Sequence, residues 1–228
     1  AGVIKELVEE KASMIEAEED RKLYRKERET LKEEIIFDAL PKAFTRSSLT
    51  YAYIDIARGW LVVDAASPKK AEALISHLRE CLGSLPVSLP QVVASPSVVM
   101  TQWLRDEAVP EDLLVGDECE LRESTEDGSI LRCKRQDLSA EEITAHLNAG
   151  KQAYKLAIEW DEKFSAILHE DLTLKRLKFD DVLVSEAEDA GTEDAAAKFD
   201  ADFALMNMTL AHFLPQLLNY FDGEKTPI

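Results

Sequence analysis

Between Glu118 and Gln136 the chain carries two runs that match when one is folded back on the other about a turn near Glu126-Asp127-Gly128. Leu121 then faces Leu131 and Cys119 faces Cys133 on one side, while Glu120 faces Arg132 and Glu118 faces Lys134 on the other. Side chains alternate faces along a strand, so this register separates an apolar face from an ion-paired one. The returning strand runs into Asp137-Leu138-Ser139-Ala140-Glu141-Glu142-Ile143. Ser139 with Glu142 three positions later reads as a capping box, Ile143 and Leu147 share a helix face, and Gly150 is placed to end the helix in a left-handed cap. The hairpin thus delivers Arg132, Lys134 and Arg135 to a helix start. Arg132 and Lys134 are held in part by their own hairpin; Arg135 and Gln136, past the paired segment, are freer.

This cationic cluster stands in an acidic chain of 228 residues with a formal net charge of −18. Phosphate binding is driven by Lys and Arg, so such a charge argues at first against nucleic acid. Its distribution removes the objection. Residues 110–127 and 180–202 hold most of the excess acid, and the remainder of the chain is close to balanced. The hydrophobic share of 46% with 32% charged residues is that of a globular chain. No apolar run is long enough for a membrane helix and no signal-peptide pattern is present, so no membrane partner is expected; the odd cysteine count suits a reducing cytoplasm, where the protein is expected. Cys81, Cys119 and Cys133 show no metal spacing and are expected to be reduced structural thiols.

The chain divides into four segments, 1–48, 49–109, 110–182 and 183–228. Residues 3–40 lack Gly and Pro and carry helical stripes through Ile4, Leu7, Val8 and Ile15 and through Leu31, Ile35 and Leu40. They read as one long projecting helix, or two joined at the polar run Glu18 to Lys22, ending before Pro41. An (i, i+4) pair such as Glu18–Lys22 would lace its surface; alternatively Arg21 and its basic neighbours face an anionic partner. Phe44 sits between cations in a connector.

A hairpin with at least one buried strand follows over 49–64, then a helix from Ser67-Pro68 to Gly83 with an N-cap and an N1 proline. Residues 84–94, with Pro86 and Pro90, are expected to be extended at a sheet edge. Ser95-Pro96 opens a short helix bearing Val99, Trp103 and Leu104. Beyond the capped helix, residues 153–160 alternate as a strand, and 164–169 with 172–179 form a second hairpin whose outer strand, Lys175-Arg176-Leu177-Lys178, is basic. Residues 185–197 read as a linker. A helix from about Asp194 to Phe221 carries Phe203, Met206, Leu210, Phe213, Leu217 and Phe221 on one stripe, and Pro215 should kink or split it. The fold class is α+β, with β-hairpins and packed helices.

No catalytic constellation emerges. His77, His146, His169 and His212 have no partner at ligand spacing, and there is no HExxH, GxSxG or phosphate-cradling Gly run. Asp200 and Asp202 diverge on a helix; Asp55 with Asp64 and Asp180 with Asp181 could meet in space, but surface acids are common in this chain and no catalytic pair is expected from them. The sequence points to a non-enzymatic binding protein without cofactor or metal.

The order of several short strings is similar to that of the RdgC family, bacterial recombination-associated proteins. They include Leu40-Pro41-Lys42-Ala43-Phe44-Thr45-Arg46, Val63-Asp64-Ala65-Ala66-Ser67-Pro68-Lys69-Lys70-Ala71-Glu72 and Gly83-Ser84-Leu85-Pro86-Val87. Lys134 to Ile143, Gly150-Lys151, Leu174 to Phe179 and Phe199-Asp200-Ala201-Asp202-Phe203 continue the series over nearly the whole chain. The resemblance implies that about a quarter of the family's length precedes Ala1. It also implies a ring-shaped homodimer with a basic inner surface, which binds double-stranded DNA without sequence preference and restrains RecA recombinase in the nucleoid. On that basis Phe44 belongs to a dimer contact, and Arg21, Lys134, Arg135, Gln136, Lys151 and Lys178 are the DNA-binding candidates. The acidic blocks would face outward. The alternative is an acidic protein–protein regulator that binds the recombinase without touching DNA.

Overall fold

The computed structural model describes residues 2–45, 47–106, 108–125, 128–180 and 195–225. The chain forms two compact units, Ala1–Thr50 and Tyr51–Ile228.

The first unit is a helical hairpin of α1 (Gly2–Glu19) and α2 (Arg25–Ala39). Asp20 takes a left-handed conformation with φ 52° and breaks the run. Folding back lets Leu31 and Ile35 bury against Ala12, with Ile4, Val8, Ile15 and Leu23 around them. One long projecting helix is therefore not formed: Glu18 to Lys22 is polar all round and offers no core, whereas the bend joins two apolar stripes. The expected Glu18–Lys22 pair gives way to Glu16–Arg28 at 2.9 Å and Glu27–Arg21 at 2.8 Å. The second helix stops before Pro41, which lies in a 3-10 turn, Leu40–Lys42.

The second unit begins with a two-stranded antiparallel sheet, β1 (Tyr51–Asp55) and β2 (Trp60–Asp64), followed by α3 (Pro68–Leu82). The expected buried strand is only half covered here, because neither strand has a fully buried residue. Residues 84–94 are not a sheet edge. They form a strap whose Val92 makes a single bridge to Glu224, with Ala94 N–H donating to the Phe221 carbonyl.

The main core lies on one side of a five-stranded antiparallel sheet in the order β4-β3-β5-β6-β7. Its strands are β3 (Leu113–Arg122), β4 (Ile130–Lys134), β5 (Gln152–Trp160), β6 (Phe164–His169) and β7 (Leu174–Phe179). The β3–β4 register is the one that charge matching predicts, with Glu118 opposite Lys134, Cys119 opposite Cys133 and Glu120 opposite Arg132. Helices α4 (Pro96–Asp106), α5 (Glu141–Asn148) and α6 (Ala195–Asn219) supply the facing apolar side chains, including Met100, Trp103, Ile143, Leu147, Phe213 and Leu217. A register shift after Glu120 lets both Leu156 and Ala153 of β5 face this core. There the Ala153 amide donates to Thr101 Oγ1 at 2.8 Å.

Helix α5 departs from the capping box. Its N-cap is Ala140, and the Ser139 hydroxyl and amide both donate to Asp137 Oδ1, at 2.7 and 2.9 Å. A carboxylate two residues upstream outcompetes Glu142 for the serine amide. Gly150, at φ 91°, ends the helix as expected; its amide bonds the Leu147 carbonyl and that of Lys151 bonds the His146 carbonyl, the Schellman pattern. In α6, Pro215 neither splits nor ends the helix, which continues to Asn219. Dense burial of Phe213, Leu217 and Leu218 about the proline offsets the lost backbone bond. The linker expected at 185–197 lies largely outside the described residues, as does part of the β3–β4 turn.

Candidate nucleic-acid interface

The face of the sheet opposite the core helices is charged. Alternation sends Glu118 and Glu120 of β3 there, together with Arg132 and Lys134 of β4. Glu120 reaches the centre of a cluster, its side chain 5% exposed. Arg122 Nε donates to one of its oxygens at 2.7 Å; Arg132 Nε and Lys155 Nζ donate to the other at 2.8 and 2.9 Å. Burial alone would raise its pKa, but hydrogen bonds from Arg132, Lys155 and Arg122 prevail and hold it at about 2.

Glu118 joins two strands that are not neighbours. Its carboxylate receives both terminal nitrogens of Arg176, at 3.0 and 2.5 Å, and lies 3.6 Å from Lys134 Nζ. The paired Arg176 guanidinium keeps the Glu118 carboxyl below its ordinary value. Arg176 belongs to β7, three strand steps from β3, about 14 Å in a flat sheet. The contact therefore reports a coiled sheet. An irregularity in the β6–β7 ladder between Ser165 and Ile167 accompanies a positive φ of 52° at Arg176. Such a backbone costs a non-glycine residue about 1–2 kcal/mol; here it aims the guanidinium across the sheet.

A hollow of about 300 Å³ results, lined by Arg132, Lys134, Lys155, Lys175 and Arg176 with Glu118, Glu120 and His169. Five permanent cations meet two carboxylates, so its wall is positive. Lys175 Nζ donates to the Ala66 carbonyl at 3.1 Å, and among the described residues its charge acts on the Asp171 carboxylate without a direct ion pair.

The candidates from the sequence fall in different places. Lys134 lines this hollow. Lys178 is exposed on β7 opposite Ser165. Arg135, at φ 54°, turns away from Lys134 and with Gln136 borders a second hollow beside Trp103, Leu104 and Leu138. Lys151 is tied to the other end of the hairpin, where Nζ donates to the Ser129 carbonyl at 3.3 Å and to its hydroxyl. Arg135 and Lys151 are thus separated by the length of β4, roughly 17–20 Å, and do not form one tip. In the helical hairpin, Arg21 is clamped by Glu27 at 2.9 and 2.8 Å and by Glu19 at 2.7 Å. Phe44 is fully exposed, at 105%.

Glu118 and Glu120 lie beside the cations of this face, opposite Lys134 and Arg132 as the charge-matched register requires. Of the residues named from the sequence, Lys134 lines the hollow and Lys178 does not; Lys155, Lys175 and Arg176, which line it, were not named. Lys155 faces Glu120 in the ladder and its alternation was visible. Arg176 was not foreseeable, because the irregularity that aims it has no glycine or proline to mark it.

A family model described as "Putative exonuclease, RdgC" matches residues 1–224. The chain belongs to the RdgC family. Among its relatives, "Recombination-associated protein RdgC" of Pseudomonas syringae pv. tomato is 48% identical over 225 residues, covering 99% of this chain and 74% of the relative. The protein of the same name in Pseudomonas aeruginosa is 48% identical over 225 residues, with the same coverage. That of Pseudomonas putida is 47% identical over 227 residues, covering 100% of this chain and 74% of the relative. The family description carries the word exonuclease, while these relatives are named for recombination. Among the described residues no helix is long and apolar enough to cross a membrane, and no group of three or more His, Cys, Asp or Glu side chains could hold a metal ion.

Proposed function

We propose that this chain binds double-stranded DNA without sequence preference, as a cytoplasmic, nucleoid-associated homodimer that restrains RecA recombinase, and that it does so without catalysing a reaction. The observation that carries this reading is the positive wall of the sheet hollow, five cations against two carboxylates, in a chain whose net charge is −18. Cations on a sheet face can meet phosphates whatever the bases, because phosphate contacts fix position and carry no sequence information. Lys134, Lys175 and Lys178 are the principal contacts; Arg135 with Gln136, beside the second hollow, and Lys151 at the other end of β4 are separate secondary contacts. The exposed Phe44 ring is the candidate for the dimer contact. The non-catalytic reading rests on the donor set: Glu118 and Glu120, the two carboxylates lining the hollow, are each held by cations, which repel a divalent metal.

Titrating random duplex against salt is the test. Log K should fall linearly with log salt at about −0.9 per phosphate neutralised. Lys175→Glu with Lys178→Glu should weaken every duplex alike. A flat salt response, or loss confined to one sequence, contradicts this reading, and so does magnesium-dependent release of nucleotides from duplex ends. Recombinase captured after nuclease treatment, by a protein that binds no duplex, would favour the acidic-regulator alternative.

A further inference from the structure

Accepting the DNA-binding reading above, we infer that Glu118 is an affinity-limiting residue of the basic face, an internal carboxylate that occupies the cations a phosphate would otherwise take. Its two oxygens receive the two terminal nitrogens of Arg176 in the bidentate geometry by which arginine also grips phosphate. Lys134 stands 3.6 Å away on the other side. Both cations are more than half exposed, with side chains 65% accessible for Lys134 and 62% for Arg176, so a ligand can reach them. The carboxylate between them is 21% accessible. Glu118 is therefore a competitor placed at the surface.

Glu120 differs although it is two residues away. It is buried at 5% and bonded to three cations, and it positions the floor of the hollow. A phosphate approaching this face meets Arg176 and Lys134 already neutralised in part, and each must leave Glu118 to bind. Binding there exchanges one anion for another and releases fewer counterions than the number of cations would indicate. The arrangement sets the affinity of the face below what its cations could deliver, which suits a protein that holds duplex without regard to sequence and must also let go of it.

The experiment compares the purified wild-type protein with Glu118→Gln on random-sequence duplex across a salt series, with thermal melting to verify folding. The variant should bind at least about threefold more tightly at low salt, and its salt slope should steepen by about 0.9 for each cation released, up to two. Glu80→Gln, which removes the same charge from the exposed surface of α3, should leave both unchanged. Adding Arg176→Gln to Glu118→Gln should abolish most of the gain, since the released guanidinium is then absent. Arg176→Gln alone, which does not depend on the folding of the glutamate variant, should weaken binding, because Glu118 is left without its partner beside Lys134. Equal affinity of Glu118→Gln and wild type overturns the inference, as does an equal gain from Glu80→Gln, or the full gain retained when Arg176→Gln is added to Glu118→Gln. If the wild type binds no duplex at low salt, the DNA-binding reading fails first; if it binds and Glu118→Gln does not tighten it, only the inference fails.

Discussion

Glu27 in the helical hairpin and Glu120 in the sheet are both carboxylates beneath arginine, and they do different physical work. Glu27 receives Arg21 at 2.9 and 2.8 Å and the Tyr24 amide at 2.8 Å, with its side chain 39% exposed. Arg21 likewise lowers its pKa, to about 2. Glu120 takes three cations from β3, β4 and β5, almost wholly out of water. In the hairpin, water competes for both partners and screens them, so the pair fixes a local shape at the start of α2 and little more. In the sheet, the carboxylate has given up its hydration and depends on its partners. Two groups held near the same pKa thus differ in what depends on them. One shapes a turn, and the other fixes where three cations stand on the surface proposed to meet DNA.

The largest expected effect separates the two sites directly. Glu120→Ala removes the carboxylate that Arg122, Arg132 and Lys155 share and should destabilise the protein by about 3 kcal/mol, the low end for breaking a buried pair. The low end applies because Arg132, with a side chain 63% exposed, can turn back to water. Urea denaturation measures the loss. A change no larger than that from Glu27→Gln would show that the buried cluster is as dispensable as the exposed one.

A smaller effect appears in acid. The folded protein holds Glu120 at about 2, below its ordinary 4.5, so this group stabilises the fold fully above pH 4.5. The stabilisation is lost as pH falls from about 4.5 toward 2, and amounts to about 3 kcal/mol at most. Glu120→Gln has no proton to take up there. The stability gap between wild type and Glu120→Gln should therefore narrow steadily as pH falls through that window, since the other carboxylates titrate in both proteins. A gap that stays constant from pH 6 to pH 3 would mean that the cluster does not hold the Glu120 proton away.

What could be read from the sequence follows the same division. The β3–β4 register was legible because its information is local: opposite charges and paired apolar residues on two runs joined by a short turn. The β6–β7 hairpin and the helix end at Gly150 were legible for the same reason. The break at Asp20 was an open alternative, because a polar run in a Gly- and Pro-free stretch is compatible with either a bend or a continuous helix. The Ser139 cap failed because Asp137 offers the same serine a nearer acceptor, and one spacing rule does not weigh two acceptors. Within the site, Lys134 could be placed from its partner, but Arg176 could not. Its contact with Glu118 is 58 residues away in sequence and depends on the coiling of the whole sheet. The sequence distinguishes cations by count and neighbours, whereas their availability to a phosphate is decided by which carboxylate each one meets after folding.

Arg21 is where that last point has its smallest and most discriminating consequence. It was a DNA-binding candidate by resemblance, yet Glu27 and Glu19 both hold it, and its guanidinium also lies 5.9 Å from the Tyr24 ring centre. An arginine so occupied must break two ion pairs before it can contact a phosphate. Because those pairs are exposed, breaking them is inexpensive, and so is their loss. Arg21→Ala should therefore shift the melting midpoint far less than Glu120→Ala and leave the salt slope of duplex binding within error of wild type. Lys175→Glu with Lys178→Glu should shift that slope clearly. If Arg21→Ala instead flattens the slope by about 0.9, one full phosphate contact, then the helical hairpin supplies a DNA contact through a cation that trades its carboxylates for phosphate, and exposure rather than existing pairing decides which cations bind.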